Sequence, residues 1–329
     1  MAEVALLALG GTVSMAQDAN EAVPALGAGQ IAAWDGRITE AVDVARVGGS
    51  EVAGSHLVDL AEHLRAQFRA GAVGAVVTCG TDAIEEVAAW LAWTGPWPAP
   101  VAVTGSMLPG SRPDSDGRAN VSDAVTAVLA APVTEPLVVF AGEVLLGREA
   151  VKMSGSVRTA FAAPGRGGIG AVTPLGAVFW RLPAATSGLG VPPRAPIPVP
   201  VVLAALGDDG QLLARAGEHP AGVVVVAANG AGNLPPQMAA CATALLDKGV
   251  AVVIASRSPD ALTSPVYGYP GGSSQLASYG AVFVPGLTPH RARIIAGIAL
   301  AHRHDVAAVL RRAADDLVEG APQRAGPTS

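Results

Sequence analysis

Two apolar segments of this chain run directly into a Gly-Thr pair, and this feature limits the possible folds most strongly. Residues 4–9 lead into Gly10-Gly11-Thr12, and residues 74–79 lead into Gly80-Thr81-Asp82. Short buried strands that end in glycine and a hydroxyl residue are typical of α/β folds, in which ligands bind at the carboxyl edge of a parallel sheet. Two such turns, the second with an adjacent carboxylate, predict an active site built around paired threonines.

Strand-like apolar runs alternate with helical patterns along most of the chain, which predicts βαβ units around a mostly parallel sheet. Residues 183–199 are rich in proline and almost free of charge, as is typical of a linker. We predict an α/β fold with a larger Rossmann-like or flavodoxin-like N-terminal catalytic domain at 1–182 and a smaller α/β C-terminal domain at 200–329. Further strands are expected near 101–104, 137–140, 199–206, 222–227 and 250–255, and helices near 56–70, 82–93, 120–130, 236–248, 289–301 and 304–317.

The composition excludes several classes of function. Half of the residues are hydrophobic, 15% are charged and the formal net charge is −6, so we expect a globular protein without nucleic-acid or membrane partners. Cys79 and Cys241 form neither a disulfide framework nor a metal-ligand pattern, and no metal site is expected. No segment reaches the roughly 18 apolar residues of a membrane span. A cytoplasmic location is predicted, with a removed leader left open.

Lysine is rare in this chain. Of 21 basic residues only Lys152 and Lys248 are lysines, and a chain that otherwise uses arginine can keep lysine where a compact ammonium group is needed. Lys248 precedes Gly249 at a predicted helix C-terminus, where a cation suits the helix dipole. Lys152 has no such structural explanation, and composition leaves a functional and a neutral role equally open.

Both Gly-Thr turns also have a purely structural interpretation. Gly10-Gly11-Thr12 fits an ordinary glycine turn, and residues 20–29 after it, rich in alanine and glycine, are a candidate lid. Asp82, with Glu85 three residues later, resembles a helix capping box. Capping does not account for Gly80-Thr81, and a threonine at a helix N-terminus could act as a nucleophile or stabilise an anion. Taken separately, the turns leave these alternatives open.

Taken in order, the motifs resemble the bacterial-type L-asparaginase/glutaminase family of amidohydrolases, over about residues 3–300. The resemblance implies a cofactor-free enzyme that hydrolyses the side-chain amide of asparagine, with glutamine as an alternative, through a threonine acyl-enzyme. The segments that carry it are Gly10-Gly11-Thr12, Gly49-Ser50-Glu51, Val76-Val77-Thr78-Cys79-Gly80-Thr81-Asp82 with Glu85-Glu86, Val103-Thr104-Gly105-Ser106-Met107 with Ser115-Asp116-Gly117 and Asn120, Lys152 nine residues before Phe161, and Gly232-Asn233-Leu234.

The resemblance also implies roles for individual residues. Thr12 would attack the amide, and Lys152, held near Thr81 and Asp82, would carry the proton transfers. Backbone N–H groups near Gly11 and Thr81 would form the oxyanion hole. Ser50 would hold the α-carboxylate of the substrate, and Asp82 and Glu51 its α-ammonium group. The implied substrate-binding residues are Gly11, Gly49, Ser50, Glu51, Gly80, Asp82 and Asn233.

The family resemblance implies a homodimer or homotetramer in which the C-terminal domain of one subunit closes the site of its neighbour through Asn233. Two other hypotheses stay open beside the asparaginase. One is an amidase of the same fold that acts on a different or larger amide. The other is a ligand-binding protein that retains the fold without turnover. An ammonia-release assay on asparagine, glutamine and small amides distinguishes the three.

Three departures from the family pattern bear on the site. The family's lid tyrosine has no counterpart, since no tyrosine precedes Tyr267. The usual His-Gly-Thr-Asp-Thr reads Cys79-Gly80-Thr81-Asp82-Ala83 here, and a glutamate contributed by the partner subunit aligns roughly with Ser273. The α-carboxylate site is therefore expected to be retained, and nucleophile activation and the partner's contribution to be changed. Candidates to replace the tyrosine are Ser14 and Asp18.

Overall fold

The chain folds into two compact units that divide between Ala195 and Pro196. The computed structural model describes residues 3–17, 21–183 and 188–318. Asp18 and the first residue of the candidate lid, Asn20, lie outside the described residues. Each unit has its own sheet and its own apolar core, so we describe them separately.

The N-terminal unit carries strands throughout and helices between them. Its strands are β1 (Val4–Gly10), β2 (Met15–Gln17), β3 (Ala22–Pro24), β4 (Ile38–Val47), β5 (Gly74–Thr78), β6 (Val101–Thr104), β7 (Leu137–Phe140), β8 (Glu143–Leu146), β9 (Val151–Lys152), β10 (Phe161–Ala162), β11 (Gly170–Thr173) and β12 (Gly176–Phe179). Its helices are α1 (Ala28–Ala32), α2 (Gly54–Ala70), α3 (Ile84–Thr94) and α4 (Gly117–Ala130).

Eight of these strands form one sheet, in the order β12-β11-β8-β7-β6-β5-β1-β4. The half from β4 to β7 is parallel, and β8, β11 and β12 continue it antiparallel. The prediction of a mostly parallel sheet is confirmed. The antiparallel edge was not predicted, and it begins where Ala141 and Gly142, both with positive φ, form a tight turn between β7 and β8. Such a turn returns the chain antiparallel without a crossover helix.

Both faces of this sheet are covered by helices, which explains why its central strands are continuously apolar. All seven residues of β1 are buried. Val4, Leu6 and Ala8 on one face belong to a core cluster shared with α1 and α4. α2 and α3 lie against the same strands and contribute nothing to that cluster, so they cover the opposite face. The amphipathic helix predicted over 56–70 is α2, which starts two residues earlier.

The C-terminal unit is a smaller α/β unit with a parallel sheet, as predicted. The sheet order is β13-β14-β15-β16, and all its pairs are parallel. One face packs against α5, α6 and α7, while α8 contacts the central strands. The elements are β13 (Val201–Leu203), α5 (Gln211–Ala216), β14 (Val223–Ala228), α6 (Pro236–Asp247), β15 (Ala251–Ser256), α7 (Ser273–Ser278), β16 (Val282–Phe283), α8 (Pro289–His302) and α9 (Val306–Val318).

An ion pair between Arg37 and the buried carboxylate of Asp35 connects the segment after α1 to helix α4. Asp35 accepts a hydrogen bond of 2.9 Å from Arg37 Nε, and its side chain is only 8% exposed. Arg37 in turn donates to Thr126 Oγ1 at 3.0 Å and to the Ser122 carbonyl at 3.2 Å. The guanidinium group of Arg37 lowers the pKa of Asp35 to about 2.

We expect Asp35→Asn to destabilise the protein by about 2 kcal/mol at neutral pH. Because the folded-state pKa of Asp35 lies below its usual 3.8, its contribution is complete above that value and disappears as pH falls through about 2. The difference in unfolding free energy between wild type and variant should therefore shrink from pH 5 to pH 2 in denaturant titrations. Asp114→Asn, which removes an exposed ion pair with Arg112, is the matched control and should change nothing measurable. An equal loss at all pH values would contradict the assignment.

Candidate active site

The two Gly-Thr turns lie side by side at the carboxyl edge of the large sheet. β1 and β5 are neighbouring parallel strands, with Ala8 opposite Thr78, so their following turns meet. A Cβ atom built on Gly11 would lie 2.1 Å from the Gly80 nitrogen, and one built on Gly80 would lie 2.5 Å from the Gly49 Cα. The backbones of these three glycines are therefore in direct contact. Their contact brings the turns that carry Thr12, Thr81 and Ser50 into one surface.

We expect Gly11→Ala to disrupt this surface. Gly11 has a φ of +82°, and the added methyl group would overlap backbone atoms rather than a movable side chain. The combined strain and clash should cost roughly 2 kcal/mol or more, seen as a lower thermal midpoint. Gly29→Ala is the matched control, because this glycine lies within α1 and a Cβ atom there meets nothing within 4 Å. Equal midpoints for the two variants would refute the close contact.

Lys152 is the centre of a polar cluster at this edge. Its Nζ atom donates to Thr81 Oγ1 at 2.8 Å and to Asp82 Oδ1 at 2.6 Å. The side chain of Lys152 is 17% exposed and that of Asp82 is 73% exposed, so the pair reaches from the protein interior to the open surface. The structure thus brings together three of the four predicted catalytic residues.

Lys152 reaches this position from a very short strand. β9 pairs antiparallel with β10, with Lys152 directly opposite Phe161. The Phe161 ring packs on the Phe140 ring with 4.9 Å between centroids. The backbone N–H of Lys152 donates to Glu85 Oε2 at 2.9 Å. The nine-residue spacing from Lys152 to Phe161 therefore reflects the loop 153–160, which returns β10 onto β9.

The capping-box interpretation of Asp82 and Glu85 is wrong. α3 begins at Ile84, two residues after the predicted start, and its N-cap is Ala83, which makes no side-chain cap. Asp82 binds the ammonium group of Lys152, and Glu85 binds its backbone N–H. Hydrogen bonds to charged groups are stronger than neutral ones, so Asp82 turns to the lysine rather than to the helix.

Thr12 lies on the neighbouring turn and not in the lysine cluster. It opens a single 3-10 turn, Thr12–Ser14, and its carbonyl accepts the Gly110 N–H at 3.1 Å. Thr12 is half-buried, whereas Ser14 is fully buried and its hydroxyl has no hydrogen-bond partner within the described part of the chain. Within the candidate lid, the exposed strand β3 pairs antiparallel with β2, which lies before the lid, and the two strands form a small ribbon. The ribbon is thus attached directly to the turn that carries Thr12.

Ser50 and Glu51 are exposed beside the two Gly-Thr turns. They belong to a second 3-10 turn, Gly49–Glu51. Glu51 Oε2 accepts the Gly48 N–H at 2.6 Å, which closes this turn. Since Gly49 packs against Gly80, the polar side chains of Ser50 and Glu51 stand at the border of the same surface.

Asn233 lies in the C-terminal unit, on the loop that follows β14. Its backbone pairs with Asn229 in an isolated bridge, and its Oδ1 accepts the Ser273 N–H at 3.0 Å. It lines an open cavity of about 900 Å³ at the carboxyl edge of the smaller sheet, together with Arg257 and Tyr267. Sequence reasoning missed Arg257 and Tyr267, because neither carries a motif.

Ser273 has a structural role within that unit. It is fully buried, and its hydroxyl accepts the N–H groups of Val266 at 3.1 Å and Tyr267 at 3.3 Å. A buried hydroxyl held this way cannot reach another subunit. The position that aligns roughly with the family's glutamate therefore offers no side chain to a neighbouring site.

The second departure from the family pattern, Cys79, is also buried. It is fully enclosed in the core at the end of β5, and burial raises the pKa of its thiol well above the usual range. A thiol in these surroundings is unreactive. Its replacement of the family's histidine changes the packing behind the site and not its exposed surface.

Lys248 caps the C-terminus of α6, as predicted, and lies outside the site.

Two residues missed as functional hold the loop after β6 in place. The carboxylate of Asp116 accepts the N–H groups of Met107 and Leu108 at 3.0–3.1 Å. Asn120 is buried and donates to the Gly105 carbonyl at 2.9 Å. In the sequence, both residues stood among the segments that carry the family resemblance, and no role was assigned to them. Over the described ranges there is no group of metal-ligating side chains, and no helix is long and apolar enough to span a membrane.

Known proteins resemble this chain over both units. The family described as "Asparaginase, N-terminal" matches residues 3–183, and the "Glutaminase/Asparaginase C-terminal domain" matches residues 198–311. A probable L-asparaginase of Deinococcus radiodurans is 35% identical over 272 residues, which cover 77% of this chain and 79% of that protein. An L-asparaginase of Bacillus licheniformis is 28% identical over 252 residues, 75% of this chain and 77% of that protein.

Solved structures share the fold over nearly the whole chain. The crystal structure of a probable cytoplasmic L-asparaginase from Campylobacter jejuni has a TM-score of 0.83 at 24% identity, covering 95% of this chain and 99% of that one. A thermostable L-asparaginase from Thermococcus kodakarensis has a TM-score of 0.81 at 19% identity, covering 95% and 97%. At these identities the likeness concerns the fold.

Proposed function

Because this chain belongs to the glutaminase/asparaginase family, we propose that it hydrolyses the side-chain amide of asparagine to the acid and ammonia. The observation that supports this most directly is the cluster in which Lys152 Nζ contacts both Thr81 and Asp82. It stands beside a second Gly-Thr turn, so a nucleophile and a proton carrier border one surface. Amide hydrolysis needs these two groups together with donors for the oxyanion.

In the proposed reaction Thr12 Oγ adds to the amide carbon as its proton passes to a basic group of the site. The tetrahedral intermediate then collapses, the C–N bond breaks, and the nitrogen leaves as ammonia after it receives a proton. Water hydrolyses the resulting ester and restores Thr12. Lys152, with Thr81 as the hydroxyl next to its amine, is the group we assign to the proton transfers. Backbone N–H groups near Gly11 and Thr81 would stabilise the oxyanion.

The surroundings of the cluster fit a zwitterionic substrate. The carboxylate of Asp82 is mostly exposed and uses Oδ1 for Lys152, so we assign its outer face to the α-ammonium group, together with Glu51. The hydroxyl of Ser50 is exposed on the adjoining turn and is assigned to the α-carboxylate. Gly49 and Gly80 permit close approach of the backbone.

Ammonia release from purified protein tests the proposal. The panel is L-asparagine, D-asparagine, L-glutamine, succinamate and a small dipeptide amide, with product identified by mass. Turnover that is fastest on L-asparagine supports the proposed function. Binding of aspartate without ammonia release from any amide would instead support a non-catalytic ligand-binding protein.

A second candidate is an amidase of the same fold with a different amide substrate. The observation that favours it is the burial of Ser273, which leaves no side chain where a partner's glutamate aligns in the family. A site without that carboxylate has less negative charge for an α-ammonium group. Succinamate, which lacks this group, would then be hydrolysed as fast as asparagine or faster.

We also propose a cytoplasmic homodimer or homotetramer in which Asn233 of one subunit borders the site of its neighbour. The position of Asn233 at an open cavity supports this assignment. Light scattering of the purified protein measures the assembly, and a monomer at assay concentrations would exclude it.

A further inference from the structure

We propose that Glu85 is a positioning residue that holds Lys152 in place for the amide hydrolysis. This inference rests on the proposed function for its kinetic consequence, although its structural basis does not depend on a substrate. No motif points to this role, because Glu85 falls at a position in which a helix cap is the ordinary interpretation.

The contact between Glu85 and Lys152 is buried and specific. Glu85 is 7% exposed and lies in the first turn of α3. Its Oε2 accepts the backbone N–H of Lys152 at 2.9 Å, across 67 residues of sequence. Its Oε1 is enclosed and has no hydrogen-bond partner among the residues that the structure describes. Burial of a carboxyl group costs free energy unless hydrogen bonds compensate for the lost hydration. For Glu85, the structure shows one such hydrogen bond, from the backbone N–H of Lys152.

The strand pairing that holds the backbone of Lys152 is short, and Met153 beside it donates its N–H to the Ala160 carbonyl at 2.7 Å. β9 consists of Val151 and Lys152 alone, and its partner β10 is equally short. α3, by contrast, is buried along most of its length, and it directly follows Thr81 and Asp82. Glu85 therefore fixes the lysine strand to the helix that directly follows the turn with both contacts of its ammonium group. The backbone N–H and the side-chain Nζ of Lys152 therefore both bind to the short segment 81–85.

A shift of the lysine backbone would lengthen both contacts of its ammonium group. A misplacement of about 1 Å in a catalytic group can cost on the order of 100-fold in rate. The loss should appear in kcat with little change in KM, because Glu85 is buried and has no assigned contact with the substrate.

The kinetic test compares three variants. Glu85→Ala removes the acceptor, and we expect kcat to fall on the order of 100-fold. Glu85→Gln keeps an acceptor oxygen of the same reach, and its kcat should stay within about 5-fold of wild type, because the contact to a neutral N–H needs no charge. Glu86→Gln, a neighbouring carboxylate in the same turn, is the matched control and should match wild type. Thermal midpoints establish that each variant is folded.

A second readout uses the fact that the chain has only two lysines. Lysine labelled at the ε-carbon should give two NMR signals in the folded protein, and Lys152→Arg assigns one of them. In wild type the Lys152 signal should be displaced from the free-lysine position by the contacts to Thr81 and Asp82. We expect Glu85→Ala to move it toward the free-lysine position and Glu85→Gln to leave it, with the Lys248 signal constant throughout.

The outcomes separate this inference from the proposed function. An unmoved Lys152 signal in Glu85→Ala overturns the positioning role, whatever the activity. Equal losses of kcat in Glu85→Ala and Glu85→Gln also overturn it, because the charge rather than the acceptor would then matter. Absence of ammonia release from wild type refutes the proposed function alone, and the NMR comparison then decides the role of Glu85.

Discussion

Thr12→Ala is expected to lower ammonia release from asparagine by at least about 10⁴-fold, without loss of the fold. Thr12 is half-buried on a turn whose path is set by Gly11 and by the Gly110 N–H bond to the Thr12 carbonyl. Removal of its hydroxyl leaves those backbone contacts intact, so the thermal midpoint should stay within a few degrees of wild type. Coupled ammonia detection and thermal denaturation on the same preparation provide the two measurements.

Thr12→Ser and Thr81→Ala serve as controls for which hydroxyl attacks. Thr12→Ser retains a hydroxyl and should keep activity within about 10-fold. Acid quench of wild type during turnover, followed by peptide mass analysis, should show the acyl group on the peptide that contains Thr12. An acyl group on the peptide with Thr81 would reverse our assignment and make Thr12 the supporting residue.

The second large effect is expected from Lys152→Ala, which should reduce kcat by roughly 10²–10⁴-fold, the range of a lost general acid–base group. The ammonium group makes two short contacts, to Thr81 and Asp82, and its stem is mostly buried. Truncation leaves a space next to the Thr81 hydroxyl into which a small amine fits. Added methylamine should therefore restore part of the activity, in proportion to its concentration.

Two further variants test whether the amine of Lys152 is responsible for the effect. Lys152→Met fills the same volume without an amine, and we expect the same loss of kcat with no rescue by methylamine. Lys248→Met is the matched control, since the second lysine caps α6 and has no place in the site. Near-full activity of Lys152→Met would contradict the proton-transfer role.

The sequence predicted the α/β class, the two sheets and the family, and these are confirmed. Strands such as β1 can be predicted from the sequence because burial on both faces makes them continuously apolar. The antiparallel strands β8, β11 and β12 were missed. None of them is buried along its whole length, whereas the equally short strands β6 and β7 are, and they were predicted. The roles of Glu85 and Ser273 were missed for another reason. Their function depends on partners 67 residues away in the case of Glu85, and on complete burial in the case of Ser273.

The sequence by itself therefore determined which groups are available, namely two threonines after apolar strands and a lysine in a chain that otherwise uses arginine. The tertiary structure alone decided how they are arranged. Parallel pairing of β1 and β5 brings the two Gly-Thr turns into contact, and a two-residue strand brings Lys152 to one of them and not to the other. Local patterns report burial and turns, which act over a few residues. Contacts between distant segments depend on strand order and close backbone packing, and these exist only after the chain has folded.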